Sequence, residues 1–214
     1  MKRFTRTIFS RVGQRWRWRL ISREDFRQFD QGIAADKTAA IAAASQRRNE
    51  LFGPNQQMKT IVAIDPGAQG GIAWEILGTT TGPVAYAMPE TEGDIIETLK
   101  SIRDGADGPP VAFVEQVGGF IRGSPAPGSA MFNFGRNFGF LLGCMQSFGY
   151  RIELIRPQQW QKEFSLGTKG DCASRTEWKN KLKARAQQLY PETKVTLGTA
   201  DALLILEYAK KHNG

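Results

Sequence analysis

Between residues 60 and 214 the apolar residues fall in short blocks, and the period of those blocks alternates along the chain. "TIVAID" (60–65) and "GGIAWEIL" (70–77) are strand-length runs joined by Pro66, Gly67, Ala68 and Gln69, a pattern that predicts a hairpin. "PVAYAM" (83–88) predicts a third strand. In "EGDIIETLKSIRD" (92–104), Ile95, Ile96, Leu99 and Ile102 recur at helical spacing. "PVAFVEQV" (110–117) predicts a fourth strand, which carries an acid, Glu115, near its end. A Gly/Ser/Pro-rich loop (118–129) precedes a helix over about 130–148, and "RIELI" (151–155) predicts a fifth strand. After "PQQWQKEF" the pattern predicts a helix over about 171–189, closed by Pro191, and a last helix that begins near Asp201 with "DALLILEYAK".

The order is three strands, helix, strand, helix, strand, helices. The first three strands suit an antiparallel meander. The crossovers make the fourth and fifth parallel to the first. The expected fold class is α/β: a mixed five-stranded sheet flanked by helices.

Residues 1–57 read differently. The first 23 hold eight Lys and Arg and no acid, with Trp16 and Trp18 set between arginines. "AADKTAAIAAASQRRNELFG" predicts a short Ala-rich helix stopped by Gly53-Pro54. "MKTIVAIDPG" then has the look of a natural start at Met58. The segment 1–57 is therefore expected to be a basic N-terminal extension, flexible or outside the core, with no fold of its own. A flexible basic arm on DNA and an organellar transit peptide are the competing readings. Residues 58–214 are expected to form the working domain.

Charge sharpens this division. The net charge of +8 splits into +7 for residues 1–57 and +1 for the remainder, so the basic excess is a terminal feature and not a footprint of the core domain. The only histidine, His212, lies near the end of the chain, and the two cysteines, Cys144 and Cys172, form no metal-type spacing. A His-based triad and a zinc centre are disfavoured, so catalysis has to rest on carboxylates, lysines or hydroxyls. No apolar stretch has the length of a membrane span. A reducing, cytoplasmic setting is expected, with organellar import as the alternative.

Three acids stand out. Asp65 and Glu115 end strands that should be neighbours, the usual place for a site in an α/β fold. Asp201 opens the last predicted helix. Each has an ordinary explanation: Asp65 as an Asp-Pro-Gly turn residue, Asp201 as a carboxylate at a helix N-terminus. Glu115 is harder to dismiss, because an unpaired Glu in an otherwise apolar strand is costly. Carboxylates converging on one point need cations between them. Hard oxygen ligands suit Mg²⁺, and a two-metal site can hydrolyse a phosphodiester. The glycines after Asp65 are expected to let a substrate backbone come close.

"IVAIDPGAQGGIA", "VAFVEQV", "MFNFGRNFGFLLG", "RPQQWQK" and "TADALLILEY" occur in the order found in RuvC-like Holliday junction resolvases, of the RNase H-like superfamily. Residues 58–214 resemble the phage and bacterial branch of that family; residues 1–57 do not. The resemblance implies an RNase H-like fold, a homodimer, and Mg²⁺-dependent paired nicking of four-way DNA junctions. It implies two ions per active site with substrate bound, with Mn²⁺ able to substitute. By motif, Asp65, Glu115 and Asp201 are the implied catalytic and metal-holding acids. The family carries a further aspartate three or four residues before the last of these, where this chain has Gly198 and Leu197. That departure opens a second reading, a junction-binding protein with reduced or lost nuclease activity. A phosphotransferase of the actin/Hsp70 kind also begins with such a strand and turn, but it needs two lobes where this chain has one.

The resemblance also implies DNA contacts. Phe120 takes the place of an aromatic wedge, against the alternative of an ordinary packed loop aromatic. Lys162 and Lys169 align with lysines near the scissile phosphate, and Arg136 with the arginine of "FGR". From spacing alone, Arg175, Lys179 and Lys183 form a basic stripe beside the buried face of the 171–189 helix, either a solvated face or a track for the DNA backbone. Gly135, Gly139 and Gly143 form a smooth stripe on the 130–148 helix. It suits close packing on either the sheet or a second subunit.

Overall fold

The computed structural model describes residues 5–22, 28–52, 59–79, 81–116 and 128–212. The chain divides into two compact units, residues 1–57 and 58–214.

The second unit is built on a sheet whose strands alternate sides as their sequences do. Its strands are β4 (Thr60–Asp65), β5 (Gly71–Ile76), β6 (Val84–Ala87), β7 (Val111–Glu115) and β8 (Arg151–Ile155), in the spatial order β6-β5-β4-β7-β8. β4, β5 and β6 pair antiparallel; β7 pairs parallel to β4 and to β8. This is the mixed five-stranded α/β sheet expected from the sequence. Successive side chains on a strand point to opposite faces. Ile61, Ala63, Val111 and Phe113 therefore face one layer, which contains the buried residues of α4 (Pro157–Lys162), α5 (Arg175–Leu189) and α6 (Leu197–His212). Val62, Ile64, Ala112 and Val114 face the other, which contains those of α2 (Glu92–Gly105) and α3 (Gly128–Ser147).

α6 is the central helix. Leu203, Leu204, Ile205 and Leu206 are completely buried, each contributing roughly 1.5–3 kcal/mol of transfer free energy. Its start is fixed by Thr196 and Thr199, whose side chains each accept the other's backbone N–H at 3.2 and 2.9 Å. Asp201 therefore lies in the second turn and not at the helix opening, which corrects the sequence reading. α5 also begins later than expected. Asp171 accepts the Thr168 N–H and hydroxyl within a single 3₁₀ turn, and Ser174 caps the helix by accepting the Glu177 N–H at 3.1 Å.

The first unit corrects the expectation of no independent fold. β1 (Thr5–Val12), β2 (Arg15–Ser22) and β3 (Gln28–Ala34) form an antiparallel sheet in that order, followed by α1 (Lys37–Phe52), the predicted Ala-rich helix. Trp18 and Leu20 on β2 bury against Ala40 and Ala44 of α1. Trp18 lies directly across from Gly32, where a Cβ would fall 2.6 Å from the indole, so only glycine leaves room for the ring. Alternation hid this sheet in the sequence: "RWRWRL" is period-2, but one of its two sets is arginine.

Candidate functional site, a carboxylate cluster at the strand ends

Asp65 follows Ile61 and Ala63 by steps of two, and Glu115 follows Val111 and Phe113 the same way. Both acids are thus set toward the layer that holds α6. Ile64 and Val114 are register partners on adjacent parallel strands, so the residues after them lie side by side at the strand ends. Asp201, on the buried part of α6, completes the group. The three sequence-predicted acids are brought together by sheet register and one helix.

The cluster raises its own proton affinity. Burial, then the Asp201 charge, pushes the Asp65 carboxyl up, against the pull of Lys179 and of the Gly67 N–H, which donates to Asp65 Oδ1 at 3.3 Å. Burial, then the Asp65 charge, lifts Glu115 to about 7. Trp160 moderates this by donating its Nε1–H to Glu115 Oε2 at 2.8 Å. Burial works against the Lys179 ammonium, but Asp201, then Asp65 and Glu115, hold its pKa above the ordinary lysine value.

Lys179 is the residue whose placement the sequence reading did not foresee. Its Nζ lies 2.5 Å from Asp201 Oδ2, so it sits among the acids and not on an open basic track. The other oxygen, Asp201 Oδ1, is buried with no hydrogen-bond partner. Among the described residues no three acidic, histidine or cysteine side chains close around one point as a finished cage. The donor chemistry nevertheless fits a hard cation: mutually repelling carboxylates, two of them with raised proton affinity, and an orphaned buried oxygen. Trp160 is the other contributor that sequence reading missed. Its signal was an aromatic within "PQQWQK", on a helix too short to show a period.

The glycines serve another purpose than the one expected. A Cβ on Gly71 would lie 2.6 Å from the Gly198 carbonyl oxygen, and a Cβ on Gly70 would collide with the Asp65 backbone. Gly71 admits the start of α6 and Gly70 the tight turn after Asp65, not a substrate. The same contact explains position 198: a Cβ there would sit 3.3 Å from Gly70 O and 3.4 Å from Gln69 O. A side chain at position 198 would press on the turn carbonyls, while Leu197 is exposed.

The remaining candidates spread around this centre. Arg136, on α3, pairs with Glu92 at 2.6 Å and lines a groove that Pro66 and Ala68, from the turn after Asp65, also line. Lys162 and Lys169 are exposed, Arg175 is exposed at the start of α5, and Lys183 is half-buried one turn beyond Lys179. Phe120 lies outside the described residues. Gly135, Gly139 and Gly143 are exposed, and a Cβ at any of them would meet nothing within 4 Å. Packing of the stripe on the sheet is therefore excluded; Leu141 and Met145 fill that role. Among the described residues no helix is long and apolar enough to cross a membrane.

The structure thus defines an α/β domain with a carboxylate-lysine centre at its strand ends. No protein-family model matches the chain, and no curated protein does. Solved structures similar to it include Thermus thermophilus RuvC, at 15% identity over 72% of this chain and 96% of that one, with a TM-score of 0.44. Another is T. thermophilus RuvC in complex with Holliday junction substrate, at 16% identity over 73% and 98%, with a TM-score of 0.45.

Proposed function

We propose that residues 58–214 are a divalent-metal-dependent DNA endonuclease, and specifically a Holliday junction resolvase. The observation that carries the reading is the electrostatic coupling of three neighbouring acids, Asp65, Glu115 and Asp201, with an unpartnered buried oxygen on Asp201. The choice of junction DNA as substrate rests on the five motifs and their order. Asp65, Glu115 and Asp201 would hold Mg²⁺, or Mn²⁺ in its place. Bound there, the ion supplies Lewis acidity for attack of water on a phosphodiester.

The chain's own residues do the rest. Trp160 holds Glu115 by one oxygen. Lys179 offsets the negative charge before an ion or phosphate arrives. Lys162, Lys169, Arg175, Lys183 and Arg136 are placed to contact DNA phosphates, which positions the strand without reading its sequence. Phe120 is assigned the wedge. Resolution needs two strands cut, so the working form is a homodimer with one site per chain. The open Gly135/Gly139/Gly143 stripe is the candidate contact.

A second reading, a junction binder with weak turnover, is favoured by one observation. Positions 197 and 198 supply no fourth acid, and a Cβ at position 198 would sit 3.3 Å from the Gly70 carbonyl oxygen. Incubation of the purified chain with an end-labelled four-way junction and a matched linear duplex, each with Mg²⁺, separates the two. The nuclease reading expects symmetric nicks in the junction alone. Binding without nicks supports the second reading.

A further inference from the structure

We propose that the open face of the β1–β3 sheet binds duplex DNA, with Arg15, Arg17 and Arg19 as its phosphate contacts. The inference stands whether or not residues 58–214 cut DNA. On β2, Trp18 and Leu20 bury against α1. Alternation places Arg15, Arg17 and Arg19 on the opposite face. Their cross-strand neighbours on that face are Val12, Ser10 and Ile8 of β1 and, for Arg17 and Arg19, Ile33 and Gln31 of β3. Among the described residues no carboxylate pairs with the three arginines. Asp30, the one acid on the described strands, is opposite Leu20 on the helix side and is tied to Arg47 at 2.5 Å. The helix-side face holds the buried apolar residues; on the other, Arg15 is exposed and Arg17 and Arg19 are half-buried, with Val12 and Ile33 exposed beside them.

The geometry selects the partner. Arginines two residues apart on a strand are separated by roughly 6.8 Å, about two steps of the phosphate repeat along one DNA strand. The guanidinium fork suits phosphate better than an ammonium does. Neighbouring strands lie roughly 4.8 Å apart, and the roughly 12 Å major groove of B-form DNA admits a two-stranded ribbon, here β2 with one neighbour. The deep, narrow major groove of A-form RNA does not admit such a sheet. Gln31 and the exposed aliphatics offer the side-chain types that meet base edges and thymine methyl groups.

The test uses the full chain in EDTA, so that nothing is cut. Binding to a fluorescent 30-base-pair DNA duplex is followed by anisotropy over a salt series. The combined variant Arg15→Gln, Arg17→Gln, Arg19→Gln should bind at least 10-fold more weakly. Its log–log salt slope should be smaller by about 2 to 3, on roughly 0.9 per lost phosphate contact. The matching Lys variant should keep the slope. A Gln variant equal to wild type in affinity and slope overturns the proposal. So does tighter binding by the wild-type chain of duplex RNA or of anionic lipid vesicles than of duplex DNA. Phenylglyoxal modification of the wild-type chain gives a readout free of any folding defect. DNA should protect Arg15, Arg17 and Arg19, and equal modification with and without duplex contradicts the assignment.

Discussion

Lys179 Nζ lies 2.5 Å from Asp201 Oδ2, inside the carboxylate cluster, so the protein supplies one cation of its own. With all three acids ionised, one ammonium leaves two negative charges, which suits a single divalent ion before DNA arrives. At pH 8 wild type should bind one Mn²⁺ per chain by calorimetry. Lys179→Met removes the competing cation and should bind Mn²⁺ about 10-fold more tightly, while its melting temperature in EDTA falls. Unchanged affinity would show that Lys179 and the ion do not share the site.

Asp65→Asn, Glu115→Gln and Asp201→Asn should each lower junction cleavage at least 1000-fold, on the scale of lost electrostatic stabilisation at a reacting centre. Junction affinity in EDTA should stay within about 3-fold, because phosphate contacts come from lysines and arginines. Gel-shift and cleavage assays on the same preparations separate the two effects.

The acids also set a pH dependence. Glu115 titrates at about 7 in the fold against 4.5 as its ordinary value. The folded state therefore favours the protonated form. That contribution to stability is complete below about 4.5 and is lost as pH rises through 7. Asp65, also raised, adds with the same sign. In EDTA the melting temperature should fall between pH 5.5 and pH 8, and Mg²⁺ should restore it at pH 8 by binding the ionised acids. Glu115→Gln should flatten the fall. A melting temperature that rises over this range in EDTA contradicts the cluster's electrostatics.

Much of the 58–214 unit was legible in the sequence. Strand alternation set Asp65 and Glu115 on one face, and turn residues marked nearly every boundary. What was not legible depends on tertiary contact. The Thr196/Thr199 cap, not the acid, starts α6. Lys179 reads as one member of a surface stripe until α5 packs beside α6. Gly70 and Gly71 read as substrate-facing until Gly198 is seen against them. The β1–β3 sheet was missed because its polar set is arginine, which composition alone assigns to an unfolded tail.

A Cβ at Gly139 meets nothing within 4 Å, so Gly139→Leu should fold at least as well as wild type, gaining up to about 1 kcal/mol of helix propensity. If the glycine stripe forms the subunit contact, the variant should scatter light as a monomer where wild type scatters as a dimer. It should then nick the two junction strands independently. A variant that stays dimeric places the contact elsewhere.

In the proposed function, Asp65, Glu115 and Asp201 form a metal-dependent hydrolytic centre acting on branched DNA. The most direct measurement is time-resolved cleavage of one labelled four-way junction by wild type and by Glu115→Gln, each with Mg²⁺ and with EDTA. Paired nicks are expected only for wild type with Mg²⁺. Cleavage by Glu115→Gln at the wild-type rate, or by wild type in EDTA, would contradict the proposal.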